Sequence, residues 1–167
     1  IRGASQGQTT YTVQLNGEMR DVFGQKLGKD QTLTFKVGTA EPRLYGQEQI
    51  FVTIDPAVKK PIFPVYTLNY PTLKVKIYAV QPDDWPDFKQ FVYERDRTNV
   101  PGQPPGRLVF DKSIPVKGPT DSLSEVDIDL SQVMEGQFGH FIVMVEPPIA
   151  DEQQRYWQTI LTWVQVT

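Results

Sequence analysis

Three carboxylates within five residues, Asp83, Asp84 and Asp87, are the first candidates for chemistry in this sequence. Such spacing can hold a divalent cation, but in Pro82-Asp83-Asp84-Trp85-Pro86-Asp87-Phe88 it coincides with a helix start. Carboxylates there accept hydrogen bonds from unpaired N–H groups and meet the positive end of the helix dipole, so capping is expected rather than ligation. Asp127 and Asp129 share one strand face at i, i+2 spacing. Calcium takes about six to eight oxygens, and no Asp-x-Asp-x-Asp-Gly loop supplies the rest, so a solvated strand face is expected. His140, the single imidazole, lies in Phe138-Gly139-His140-Phe141-Ile142 and would have to serve any hydrolytic triad. Ser113, Ser122, Ser124 and Ser131 form no Gly-x-Ser-x-Gly elbow, which leaves an ordinary strand-end histidine. Trp85, Trp157, Trp163 and Tyr93 could stack on sugars, but alternating apolar companions place Trp157 and Trp163 partly in a core or interface. Gly24 and Gly28 fit neither a dinucleotide fingerprint nor a P-loop and sit where turns are expected. No catalytic, cofactor-binding or metal-ligating residue is assigned.

The composition agrees. A chain of 167 residues, 39% hydrophobic and 22% charged, has enough apolar surface to fold as a soluble globule. Net charge −3 with a pI near 5.2 lacks the basic footprint of a nucleic-acid or anionic-membrane binder. Cys 0 and His 1 exclude a disulfide framework, thiolate zinc and multi-histidine metal centres. No stretch reaches the ~18 apolar residues of a spanning helix, and no basic n-region precedes an apolar h-region. Ile1-Arg2-Gly3-Ala4-Ser5 carries no initiator Met, so a piece of a larger protein is expected. The absence of cysteine suits the cytosol and the bacterial envelope equally.

Period-2 alternation dominates the elements that would position these residues. Tyr11, Val13 and Leu15 share one face of a first strand, and Leu33, Phe35 and Val37 one face of a second. Residues 1–39 carry five Lys/Arg against three Asp/Glu, and 40–167 carry twelve against seventeen. That sign change and Gly38-Thr39-Ala40-Glu41-Pro42 mark a boundary. Beyond it seven strands are expected, near 48–54, 63–69, 73–80, 107–112, 124–130, 139–146 and 157–166, the density of a β-sandwich. In 73–80, Leu73, Val75 and Ile77 point to a core while Lys74 and Lys76 point to water. Trp85, Phe88 and Val92 recur at helical spacing, with the helix starting near Asp84, Pro86 in its first turn and its end at Tyr93–Arg95. Arg95–Arg107 and Glu146–Arg155 are expected to be surface loops.

Three segments carry a resemblance. Tyr11-Thr12-Val13-Gln14-Leu15-Asn16-Gly17, then Arg20-Asp21-Val22-Phe23-Gly24-Gln25-Lys26-Leu27 and Thr34-Phe35-Lys36-Val37, resemble the last strands of a bacterial Ig-like domain, where a D-x-x-G-x-x-L turn precedes a T-F-x-V strand. Leu73-Lys74-Val75-Lys76-Ile77-Tyr78-Ala79-Val80 running into Pro82-Asp83-Asp84-Trp85 resembles the macroglobulin-like domain of bacterial alpha-2-macroglobulins. Val126-Asp127-Ile128-Asp129-Leu130-Ser131, Phe141-Ile142-Val143-Met144-Val145 and the ending Thr162-Trp163-Val164-Gln165-Val166-Thr167 are similar to the later strands of such a domain.

The resemblance implies an all-β, antiparallel sandwich with one short helix over 40–167, preceded over 1–39 by a partial Ig-like hairpin. It implies a scaffold fragment of a bacterial protease-trapping inhibitor in the periplasm or at the cell surface. Its expected partners are neighbouring domains of the same large chain and, through the full-length protein, target proteases. No nucleic acid, membrane insertion, enzymatic activity or cofactor is expected. The thioester of that family needs Cys-x-Glu-Gln; Gln47-Glu48-Gln49 and Glu152-Gln153-Gln154 contain Glu-Gln without a cysteine, so neither forms it and no functional residue is carried over. The alternative is an Ig-like surface adhesion or glycan-binding module.

Overall fold

The computed structural model describes residues 5–98 and 102–167. Contacts divide the chain into two compact units, Ile1–Glu41 and Pro42–Thr167.

In the first unit, β1 (Thr10–Leu15) pairs antiparallel with β2 (Gln31–Lys36). The register sets Tyr11 against Phe35 and Val13 against Leu33, so one face of the hairpin is apolar, and the Tyr11 and Phe35 rings stack at 5.6 Å. The connection is built by the D-x-x-G-x-x-L turn. Asp21 Oδ1 accepts hydrogen bonds from the amides of Phe23 and Gln25, and Gly24 takes φ +83°, a left-handed conformation that favours glycine.

The second unit begins with the short strands β3 (Arg43–Tyr45) and β4 (Phe51–Ile54). β5 (Ile62–Leu68) and β6 (Thr72–Val80) follow, then α1 (Trp85–Thr98) and β7 (Arg107–Pro115). β8 (Ser124–Asp129), β9 (Gly139–Glu146), α2 (Glu152–Gln158) and β10 (Ile160–Val166) complete it. One sheet runs β4-β10-β9-β6-β7 and the other β3-β5-β8. All pairs are antiparallel except β4–β10. The two sheets share a core in which Phe63, Val65, Val126 and Ile128 meet Val75, Ile77, Val143, Val145, Val164 and Val166. The sandwich class agrees with the sequence; an eighth strand, the short β3, adds to the expected seven.

The outer face of the five-stranded sheet differs from expectation. Tyr78, Val80, Ile142, Leu161 and Trp163 point away from the sandwich core and are covered by Phe88, Trp85, Phe91 and Val92 of α1. The helix is therefore a third layer. Lys74 and Lys76 lie on this half-covered face, where they pair with Asp111 and, at 2.8 Å, with Glu146. The Glu146 hydrogen bond outweighs burial and raises the Lys76 pKa.

Two loops expected from the sequence are partly helical. α1 continues to Thr98 because no Gly or Pro intervenes before Pro101, so Arg95–Arg97 are helical; Asn99, Val100 and Pro101 lie outside the described residues. Within Glu146–Arg155, Asp151 accepts from the Gln154 amide at 2.8 Å and opens α2. The strand expected from 157 begins instead at Ile160, so Trp157 is helical.

Two substitutions test this packing. Phe88 is fully buried, so Phe88→Ala should cost about 3–5 kcal/mol in urea unfolding if α1 is integral to the fold. The Thr162 hydroxyl is buried with no hydrogen-bond partner among the described residues. Thr162→Val should therefore raise stability by about 1 kcal/mol, because it removes an unpaired polar atom at nearly constant volume.

Candidate interface

The start of α1 is fixed locally. Pro82–Asp84 form a 3₁₀ turn, and the Asp84 carboxylate accepts the Gln81 amide at 2.8 Å in a capping box. That turn delivers Trp85 onto the outer sheet face. Its ring meets Phe51 at 5.5 Å and 83°, and Trp163 at 5.4 Å and 87°, both edge-to-face. Trp163 lies opposite Ile142 of β9 and Phe51 of β4. Its indole N–H donates to His140 Nδ1 at 3.3 Å. Phe51, Pro82, Trp85, His140, Trp163 and Gln165 line a cleft of about 510 Å³.

The bond from Trp163 engages the one lone pair that His140 would use as a base, and burial lowers the imidazole pKa below its ordinary 6.5. His140 is thus a neutral wall of the cleft with its proton on Nε2.

A second cleft, of about 390 Å³, lies farther along α1 and takes in Arg43, Tyr45, Ile50, Arg95, Asp96 and Trp157. Arg95 and Asp96 here join the two helices. The Arg95 guanidinium lies 4.5 Å from the Tyr156 ring centre and donates to the carbonyls of Tyr156 and Thr159, while the Tyr156 hydroxyl donates to Asp96 at 3.0 Å. Burial, reinforced by the Asp96 hydrogen bond, raises the Tyr156 pKa. Tyr45, Ile50, Trp157 and nearby Phe51 remain 37–66% exposed. Aromatic side chains exposed in such number mark an interaction surface.

The structure sorts the four aromatics singled out in the sequence. Trp85 and Trp163 come together; Trp157 belongs to the second cleft and meets Tyr156 edge-to-face, and Tyr93 is exposed on α1. Phe51 and Gln165 were not anticipated. The signal for Gln165 was present in strand parity, because it shares the face of Trp163 two residues earlier; Phe51 arrives only through the β4–β10 pairing.

The acidic groups occupy structural positions. Asp129 accepts from the amide and hydroxyl of Ser131, which lowers its pKa, and Lys60 approaches at 3.6 Å. Among the described residues no group of three or more His, Asp and Glu could hold a metal ion. Gln47-Glu48-Gln49 precedes β4, and Glu152-Gln153-Gln154 is the first turn of α2.

Comparison with known proteins supplies an architecture. No family model and no curated protein matches the chain. Among solved structures it matches a mutant of Salmonella alpha-2-macroglobulin at a TM-score of 0.62 and 13% identity, over 98% of this chain and 9% of that one. It also matches an Escherichia coli alpha-2-macroglobulin fragment spanning domains MG0-NIE-MG1, at 0.56 and 15%, over 98% and 51%. The native E. coli protein solved by electron cryo-microscopy matches at 0.53 and 14%, over 98% and 10%. The chain has the macroglobulin-like β-sandwich fold, and it spans a small part of the full-length proteins it resembles.

The His140 environment predicts a pH dependence. A folded pKa below 6.5 means that the unfolded chain binds the proton more tightly. Stability is then full above about pH 6.5 and falls as pH drops from there through the folded value. The urea midpoint of the intact chain should decline as pH falls below about 6.5, and His140→Gln should flatten that decline whatever it does to absolute stability.

Proposed function

We propose that this chain is a non-catalytic scaffold segment of a bacterial alpha-2-macroglobulin-like protease trap, working in the periplasm or at the cell surface. The observation that carries this reading is the likeness across 98% of the chain, through both units, to a multidomain stretch of such a protein. In this reading residues 1–39 are the closing strands of an Ig-like domain and 40–167 a macroglobulin-like domain.

Burial in the first unit supports the assignment. Among its described residues no apolar side chain is buried, and Leu33 and Phe35 are about half exposed. A two-stranded sheet with an uncovered apolar face is marginal in water and needs further strands to close over it. The second unit contributes surfaces in this reading: its imidazole is engaged, Asp84 and Asp151 cap helices, Asp111 and Glu146 pair with lysines, and Tyr45, Phe51 and Trp157 stay partly exposed. Its partners are neighbouring domains of the parent chain, and target proteases meet it only through that parent.

The parent protein should leave a bound protease active on a small chromogenic peptide while blocking its action on a large protein substrate. The isolated chain, at high molar excess over trypsin-like and elastase-like proteases, should block neither. Stoichiometric inhibition by the chain alone, or a parent that fails to discriminate by substrate size, would overturn the reading. Removing residues 1–41 should leave 42–167 folded, with a thermal midpoint lowered by a few degrees at most and any self-association lost; a truncated chain that cannot fold would show that the two units are one domain.

A further inference from the structure

We propose that the second cleft, lined by β3, the end of α1 and α2, seats a carboxylate side chain carried beside an apolar one on a segment of another domain. The proposal rests on the scaffold reading for the source of that segment, and it specifies the chemistry of one contact.

The first support is charge. Two guanidinium groups, Arg43 and Arg95, stand in the lining against one carboxylate, Asp96. That carboxylate already accepts the Tyr156 hydroxyl at 3.0 Å. Residues 42–167 as a whole carry sixteen Asp/Glu against twelve Lys/Arg, so the cleft is a local positive site on an acidic unit. Such a site favours an anion and disfavours a cation.

The second support is that the positive groups are placed in advance. The Arg95 guanidinium lies over the Tyr156 ring at 4.5 Å, and its Nη2 donates to the carbonyls of Tyr156 and Thr159 at 3.1 and 3.3 Å. Both bonds come from Nη2, and the planar fork carries further donors on Nε and Nη1 that match the two oxygens of a carboxylate. Arg43 acts on the same corner. Burial raises the Tyr70 pKa, and the hydrogen bond to Gln158 at 2.9 Å and the Arg43 charge oppose that rise. The charge of Arg43 is therefore felt beside the Gln158 side chain that lines the cleft.

The third support is the apolar remainder of the lining, which a bare anion would leave unused. Ile50 and Leu161 line the same cleft, where Trp157 is 66% and Tyr45 50% exposed. These side chains can cover an aliphatic or aromatic neighbour of the carboxylate, whereas free phosphate gains nothing from them. Trp, Tyr and Arg are the side chains that most often anchor protein interfaces, and this cleft assembles all three.

The test titrates the intact chain with acetyl-Leu-Glu-Leu amide and reads the indole ¹H–¹⁵N resonances. Trp163, buried under α1, serves as the internal reference. The Glu peptide should shift Trp157 saturably while Trp163 stays still, and the isosteric Gln peptide should bind about tenfold more weakly. Arg43→Gln, which leaves the main-chain pairing of β3 with β5 in place, should cut that preference to about threefold or less. Five results would overturn the proposal: the Gln peptide binding as well as the Glu peptide, the corresponding Lys peptide binding better, inorganic phosphate moving Trp157 at lower concentration than the Glu peptide does, an unchanged preference in the Arg43 variant, or no probe moving Trp157. The readout concerns this cleft alone, so its failure leaves the trapping assay on the parent protein standing, and failure of that assay leaves this titration interpretable.

Discussion

Burial of the five-stranded sheet on both faces is the constraint on which the rest of the larger unit depends. One face carries Val75, Val143, Val164 and Val166 into the sandwich, and the other carries Tyr78, Ile142, Leu161 and Trp163 toward α1. Leaving the second face in water would forfeit roughly 1.5–3 kcal/mol for each large side chain. The inter-sheet core contains no residue of α1, so the helix serves the outer face alone, which the opposing sheet cannot reach. The polar contacts near α1 serve that task. The Gln81–Asp84 capping box sets where the helix starts, and Arg95 and Asp96 hold it to Tyr156 and α2.

The same constraint explains what the sequence reveals. β8 announces itself because its positions alternate cleanly, as in Val126, Ile128 and Leu130 against Glu125, Asp127 and Asp129, whereas β9 is a continuous apolar run because both of its faces are covered. In β6 the outer lysines look like a solvent face, yet the same parity continues into Tyr78 and Val80, which α1 covers; alternation reports which residues share a face and not what lies over it. β3 has three residues, too short to show a period. α2, Glu-Gln-Gln-Arg-Tyr-Trp-Gln, has two apolar residues in a row and no helical repeat, so its formation rests on the Asp151 cap and on the docking of Tyr156. The candidate site was legible only in part. Trp85 and Trp163 were visible as aromatics, but their meeting depends on a helix crossing a sheet, and Phe51 joins them through a parallel pairing that no local pattern encodes.

The smaller unit shows the reverse case, in which local signals are complete and the tertiary ones are missing. Its turn chemistry is explicit: Asp21 binds two amides, Asp30 accepts from Gly17, and Gly24 and Gly28 take positive φ. The hairpin register follows directly. Leu33 and Phe35 nonetheless stay about half exposed. In the proposed reading, the half-exposed apolar face of this hairpin would be met by further strands of a larger sheet.

The clefts follow from a difference in element lengths. A 14-residue helix spans about 21 Å, whereas the nine-residue β6 spans about 30 Å. A single helix of that length cannot cover the outer face of the sheet from end to end. Where it starts, Trp85 turns onto Trp163, and Phe51, His140 and Gln165 are left as an open wall; where it ends, Tyr45, Ile50 and Trp157 form another. At the first opening the single histidine is engaged by an indole and desolvated, beside rings and the Gln165 amide; the second opening adds the charged groups Arg43, Arg95 and Asp96. In the proposed scaffold reading, the uncovered ends of the sheet are where the second unit would meet other domains.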